Sequence, residues 1–248
     1  MTLQKTINKP VTVSGLGLHT GASVNLTFNP APENTGFVFK RIDVEGQPEI
    51  EASVDNVFST DRGTCLAKDD VKVHTVEHAL SALTGMDIDN CLIEVDGPEM
   101  PIKDGSARFF VEAIKEAGVV EQKTEREYLE IDTVLTWTDP ENKIELMAVP
   151  ADDYRLSVMI DFGTQVLSTQ NAQLDKIGDF ADQIAPCRTF VFLHELEYLL
   201  QNNLIKGGDL SNAIVFVNKA VNQDELNRLA ELFNKPKVAV KPEGVLNN

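Results

Sequence analysis

The strongest restriction on the fold is the order of the periodic segments, in which short strand-like runs outnumber helices and never alternate with them regularly. Residues 11–13 (Val-Thr-Val) run into Gly15-Leu16-Gly17, and residues 23–28 alternate apolar and polar with a period of two. Residues 36–40 make a further short strand. Val76, Ala79, Leu80 and Leu83 then recur at helical spacing, and Gly85 is expected as the stop. A second stripe holds Phe109, Phe110, Ala113, Ile114 and Ala117, with Ser106 as its cap and Gly118 at its end. Between the helices, residues 90–95 read as a nearly continuous apolar strand.

Beyond the polar stretch 121–127 the order begins again. Residues 128–138 and 143–149 are expected to pair as strands, 154–162 to form a third, and 193–200 and 224–233 to be helices. Irregular mixing of this kind favours α+β layers over a doubly wound parallel sheet. The expected organisation is two domains of similar topology, 1–122 and 127–248, each a sheet layered with helices. No residue-level repeat accompanies the repeated order.

Charge narrows the function. With 39 acidic against 22 basic residues the net charge is -17, a field that repels phosphate backbones and argues against a nucleic-acid partner. A small phosphorylated substrate would need a local basic pocket. No apolar run is long enough for a membrane span, and the first residues lack a signal-peptide pattern. The three cysteines are odd in number and widely spaced, so a reducing, cytoplasmic setting is expected.

The densest chemical cluster is His74-Thr75-Val76-Glu77-His78. Glu77 and His78 point away from the apolar stripe, so packing does not require them. Imidazole is a common metal ligand, and a carboxylate beside it can take a proton from a metal-bound water. The same five residues also fit the H-x-x-E-H pattern of one class of zinc protease, or a plain solvated helix face.

Four further segments bear on that choice: Gly15-Leu16-Gly17-Leu18-His19-Thr20-Gly21, Ile88-Asp89-Asn90, Pro98-Glu99-Met100-Pro101-Ile102-Lys103-Asp104-Gly105-Ser106, and Arg188-Thr189-Phe190. Together with Thr75-Val76-Glu77-His78, in this order, they resemble the UDP-3-O-acyl-N-acetylglucosamine deacetylases of the lipid A pathway. The resemblance runs to about Phe216. It implies two α+β domains with the active site between them, a zinc cofactor, and hydrolysis of the substrate's N-acetyl group to release acetate. His78 matches a zinc ligand, Glu77 the general base, and Thr189 a donor to the tetrahedral oxyanion. His19 matches a position close to the sugar and phosphates, and Asp161 and Phe162 match uridine contacts. An insert near 190–210, with Phe190, Phe192 and Gly208, matches an apolar passage for the acyl chain. His74 matches no ligand and is expected to be structural. Some members of the family continue into a fused acyl-carrier-protein dehydratase domain, a partner the resemblance leaves open.

One family motif has no counterpart. A helix carrying His-Lys-x-x-x-Asp should add a histidine and an aspartate to the zinc, yet the histidines here are His19, His74, His78 and His194, and Tyr198 stands four residues after His194. The expectation is a truncated chain with an incomplete second domain, weak zinc binding and little activity of its own. A non-enzymatic remnant is the remaining alternative. The helix expected around Leu226, Leu229, Ala230 and Phe233, with the Lys-Pro tail 235–242, matches nothing in the family pattern.

Overall fold

The computed structural model describes residues 2–202, 204–209, 211–218, 222–232 and 244–245. Phe233 and the tail 235–242 lie outside the described residues. The architecture is α+β.

The first half is built on strands β1 (Leu3–Ile7), β2 (Val11–Leu16), β3 (Ser23–Pro30), β4 (Phe37–Arg41) and β5 (Glu49–Glu51). Strands β6 (Val57–Ser59), β7 (Cys65–Lys68) and β8 (Val71–Val73) precede helix α1 (Glu77–Gly85). Then come β9 (Cys91–Val95), helix α2 (Arg108–Ala117) and β10 (Val119–Glu125). A five-stranded sheet has the order β2-β3-β9-β4-β5, with β4 and β9 parallel and the other pairs antiparallel. Strands β6, β7 and β8 form a small sheet beside it.

Period-two alternation turns Val24, Leu26 and Phe28 of β3 inward, where the α1 and α2 stripes meet them. Phe28 and Phe110 pack edge to face at 6.1 Å. Each apolar side chain buried this completely stabilises the fold by roughly 1.5–3 kcal/mol.

Two expectations are corrected here. The stretch 121–127, read from its polarity as the boundary between the halves, is itself strand over Val119–Glu125 and pairs antiparallel with β1. Gly85 ends α1, but not as a left-handed stop; Asp87 takes the positive φ, at 59°. Gly85 must be glycine because the Phe180 ring lies where a Cβ would go, its Cδ1 only 2.0 Å from that position. Gly118, with φ 77°, does close α2 as expected.

In the second half β11 (Leu135–Asp139) and β12 (Ile144–Ala148) form one antiparallel hairpin. A second joins β13 (Leu156–Asp161) to β14 (Thr169–Leu174). A short helix α3 (Phe180–Gln183) follows, and Leu174, Phe180 and Ala185 pack into the first core. Then come β15 (Phe190–Phe192), α4 (Leu193–Gln201), β16 (Ile214–Val217), α5 (Gln223–Leu232) and β17 (Gly244–Val245). β15 and β16 are parallel neighbours, as a strand-helix-strand crossover requires, and Leu193, Val215, Val217 and Leu226 form a second, smaller core.

The expected layered sheet is not seen across β11–β14. These strands stay in two separate hairpins. Their apolar side chains are open to solvent, Trp137 at 54% and Met159 at 76%.

Candidate active site

Helix α1 begins at Glu77, directly after a reversal of the chain at Thr75, whose φ is +60°. The reversal turns Glu77 toward the β6–β7 connection, where its Oε2 accepts the Thr64 backbone N–H at 2.9 Å. Gly63 keeps this approach clear: a Cβ there would lie 3.2 Å from Glu77 Oε1. His78 is half-buried beside it. Burial pushes the His78 imidazole below its ordinary value, against the opposing pull of Glu77 and Asp104, so the ring is neutral at pH 7 and keeps a lone pair for a metal.

The H-x-x-E-H protease pattern needs His74 and His78 one turn apart on a helix, and this geometry is absent. His74 precedes the helix and bridges to Glu99, its backbone bonded to Pro98 and Met100. Its Nε2 lies 3.9 Å from Cys65 Sγ, and burial lowers its pKa. These contacts hold His74 within the fold, ahead of the helix that carries Glu77 and His78.

Thr189 is held by the loop before α2. Asp104, whose charge is felt at His78, accepts from the Ser106 N–H and hydroxyl and from Arg108. The backbone of this loop then grips the second half. Arg188 Nε donates to the Asp104 carbonyl at 2.7 Å, and the Thr189 N–H donates to the Gly105 carbonyl at 2.7 Å. Gly105 has φ 83°, and a Cβ on it would fall 2.2 Å from the Asn212 carbonyl oxygen and 2.9 Å from Thr189 Cγ2. One loop therefore faces His78 with a carboxylate and holds Thr189 with its backbone.

His19 lies in a separate tie between the halves. Its Nδ1 bonds the Leu204 carbonyl at 2.9 Å, while the Gly207 N–H donates to Leu18. Gly207 admits no side chain, since a Cβ would sit 2.1 Å from the Gly17 oxygen. Gly208, the residue singled out in the sequence, packs instead against Ile205. A cavity of about 490 Å³ opens between these elements, lined among others by Gly15, Asp104, Phe109 and Gly208, with Lys103 and Lys206 as its positive groups. Asp104 and Asp209 line the same cavity and balance these lysines in number, so the basic pocket expected for a phosphorylated substrate is not evident in its lining.

Asp161 and Phe162 stand at the end of β13. The Asp161 carboxylate is exposed and accepts the Gly163 N–H at 3.0 Å. The Phe162 ring meets Phe190 edge-on at 5.2 Å, so the residues matched to uridine and to the acyl passage form one aromatic cluster. Phe192 and Phe216 extend it, and Phe192 stacks on His194.

Sequence reasoning gives no individual role to Glu99, Asp104 or Phe216, and places Gly207 only in the insert matched to the acyl passage. For Phe216 and Asp104 no periodic signal exists. For Glu99 the signal is an acid set in the otherwise apolar run 98–102.

With this geometry in place, the comparisons decide the family. The family model described as LpxC, UDP-3-O-acyl N-acetylglycosamine deacetylase, matches residues 4–237. The chain belongs to that family. It is 47% identical over its whole length to the "Bifunctional enzyme LpxC/FabZ" of Porphyromonas gingivalis, of which it covers 54%. It is 42% identical to the protein of the same name from Bacteroides thetaiotaomicron, again covering 54% of it. Against the "UDP-3-O-acyl-N-acetylglucosamine deacetylase" of Bdellovibrio bacteriovorus it is 40% identical over 96% of this chain and 78% of that protein. The chain thus spans about half the length of its bifunctional relatives. Among the described residues of this deacetylase-family chain, no helix is long and apolar enough to cross a membrane.

Proposed function

We propose that the protein hydrolyses the N-acetyl amide of a UDP-linked, 3-O-acylated N-acetylglucosamine, releasing acetate, as a cytoplasmic step of lipid A biosynthesis. The observation that carries this reading is the pairing of Glu77 with His78. A carboxylate fixed by the Thr64 N–H stands next to an imidazole that burial keeps neutral. Glu77 takes a proton from the attacking water. The Thr189 hydroxyl, whose backbone is held by the loop facing His78, donates to the oxyanion that develops on the amide carbonyl. Apolar burial of the acyl chain along Phe190 and Phe192 stabilises the complex by about 0.8 kcal/mol per methylene. Asp161 and Phe162 contact the uridine, His19 lies near the sugar and phosphates, and Gly208 lines the acyl passage. The site lies between the two expected domains.

Zinc fits this reading at His78, where it would polarise the carbonyl and acidify a bound water. Among the described residues, however, no three His, Cys, Asp or Glu side chains converge, whereas a catalytic zinc takes about three protein ligands. The described residues thus offer zinc His78 without two partners, so zinc binding by them is expected to be weak. The two-enzyme names of the bifunctional relatives support a second enzyme, the dehydratase the resemblance implies, fused in a longer parent polypeptide.

Acetate release from the UDP-sugar by the full-length polypeptide tests the proposal. Turnover should vanish on chelation and return with zinc. Equal turnover in the metal-free protein overturns it.

A further inference from the structure

Among the described residues Glu99 is the one acidic side chain that is fully buried, at 1% exposure. A carboxylate taken out of water persists only where hydrogen bonds replace its hydration. Both oxygens are used. The His19 N–H donates to both, at 3.0 and 3.1 Å, and the Thr20 N–H and hydroxyl donate to Oε2 at 2.8 Å each. The Thr75 hydroxyl donates to Oε1 at 3.0 Å. Gly17 is shaped around the same group, since a Cβ on it would fall 2.5 Å from Glu99 Oε2.

These donors come from two places. His19 and Thr20 belong to the glycine-rich turn that ties to Leu204 and Gly207. Thr75 is the reversal immediately before α1. A β-branched residue at φ +60° holds that conformation only where its surroundings over-determine it. The Glu99 bond supplies that restraint. From Thr75 the chain continues through Val76, whose N–H donates to the Thr64 carbonyl, into Glu77, whose carboxylate accepts from the Thr64 N–H.

We propose that Glu99 is a positioning residue: its buried carboxylate locks the left-handed Thr75 and the His19 turn to one point. It thereby sets the direction from which Glu77 and His78 meet the substrate. This rests on the reaction assigned above.

The test uses Glu99→Gln, Thr75→Val and Thr75→Ser in the full-length polypeptide, with kcat, KM and hydrogen exchange over residues 17–21 and 72–80. Loss of the link should lower kcat by about tenfold or more, since small misplacements of a reacting group are costly. Thr75→Ser, which keeps the hydroxyl, should restore turnover. The Glu99→Gln/Thr75→Val double variant should be no worse than its poorer parent, because both break one link. Exchange should rise in both segments together. Full turnover in Thr75→Val, no rescue by serine, or multiplying effects would overturn the proposal. If Glu99→Gln does not fold, the two Thr75 variants decide. If the parent protein releases no acetate, the reaction assignment fails. The exchange data still judge the link, which falls if Thr75→Val or Glu99→Gln loosens one segment alone.

Discussion

The Thr189 hydroxyl is the most economical place to test the oxyanion assignment. Its backbone is held at both ends, the N–H by Gly105 and the carbonyl by Ile214, so trimming the side chain leaves its position intact. Thr189→Ala in the full-length polypeptide should lower kcat about 100-fold or more, the usual cost of one oxyanion donor, while Thr189→Ser keeps most of the rate. Equal rates for alanine and serine would place the donor elsewhere. Glu77, His78 and Thr189 were each singled out by motifs in the sequence, as candidates for the proposed roles. Glu99 was not, because one acidic residue in a run says nothing about whether its carboxylate turns to solvent or meets donors from residues 19, 20 and 75. Only the folded arrangement brings those donors together.

At the scale of the element, the first half shows how far periodicity carries. β2, β3, β4, β9 and both helical stripes stand where alternation and helical spacing put them, because each has one buried face. β14 escaped notice because its sequence, Thr-Gln-Asn-Ala-Gln-Leu, buries only Leu174 and is held mainly by backbone bonds to β13. β10 escaped because an edge strand with charges on its exposed face reads as a boundary between the halves. Gly85 was read as a stop by a rule that fits Gly118, whereas its reason lies 95 residues away in Phe180. Gly85→Ala should therefore destabilise the protein by about 1–3 kcal/mol, as overpacking does, although alanine favours helices. Thermal or urea unfolding measures it. A neutral or stabilising effect would contradict the Phe180 contact.

For the whole molecule, an ionic brace ties the first half closed. Lys5 on β1 and Arg126 beyond β10 both meet Asp87, and Arg126 also meets Asp89 at 2.7 Å. Burial alone would raise the Asp87 carboxyl, but the hydrogen bonds from Lys5 and Arg126 outweigh it and hold the carboxyl below its ordinary value. A depressed folded-state pKa adds stability that is fully present above the unfolded value of about 4 and is lost as pH falls through the folded one. Asp87→Asn should accordingly lower Tm at pH 7, with the gap to wild type closing below about pH 4. A gap that stays constant down to pH 3 would contradict this account of the brace. The second half has no comparable brace described across β11–β14, and its apolar side chains stand open.

The proposed reaction rests on the Glu77 carboxylate as the base beside a neutral His78. The direct measurement is kcat for acetate release by the Glu77→Ala variant of the full-length polypeptide, with the fold checked by its Tm. Removing a positioned base should cost about 100-fold or more. A variant that folds normally and turns over at the wild-type rate would contradict the account.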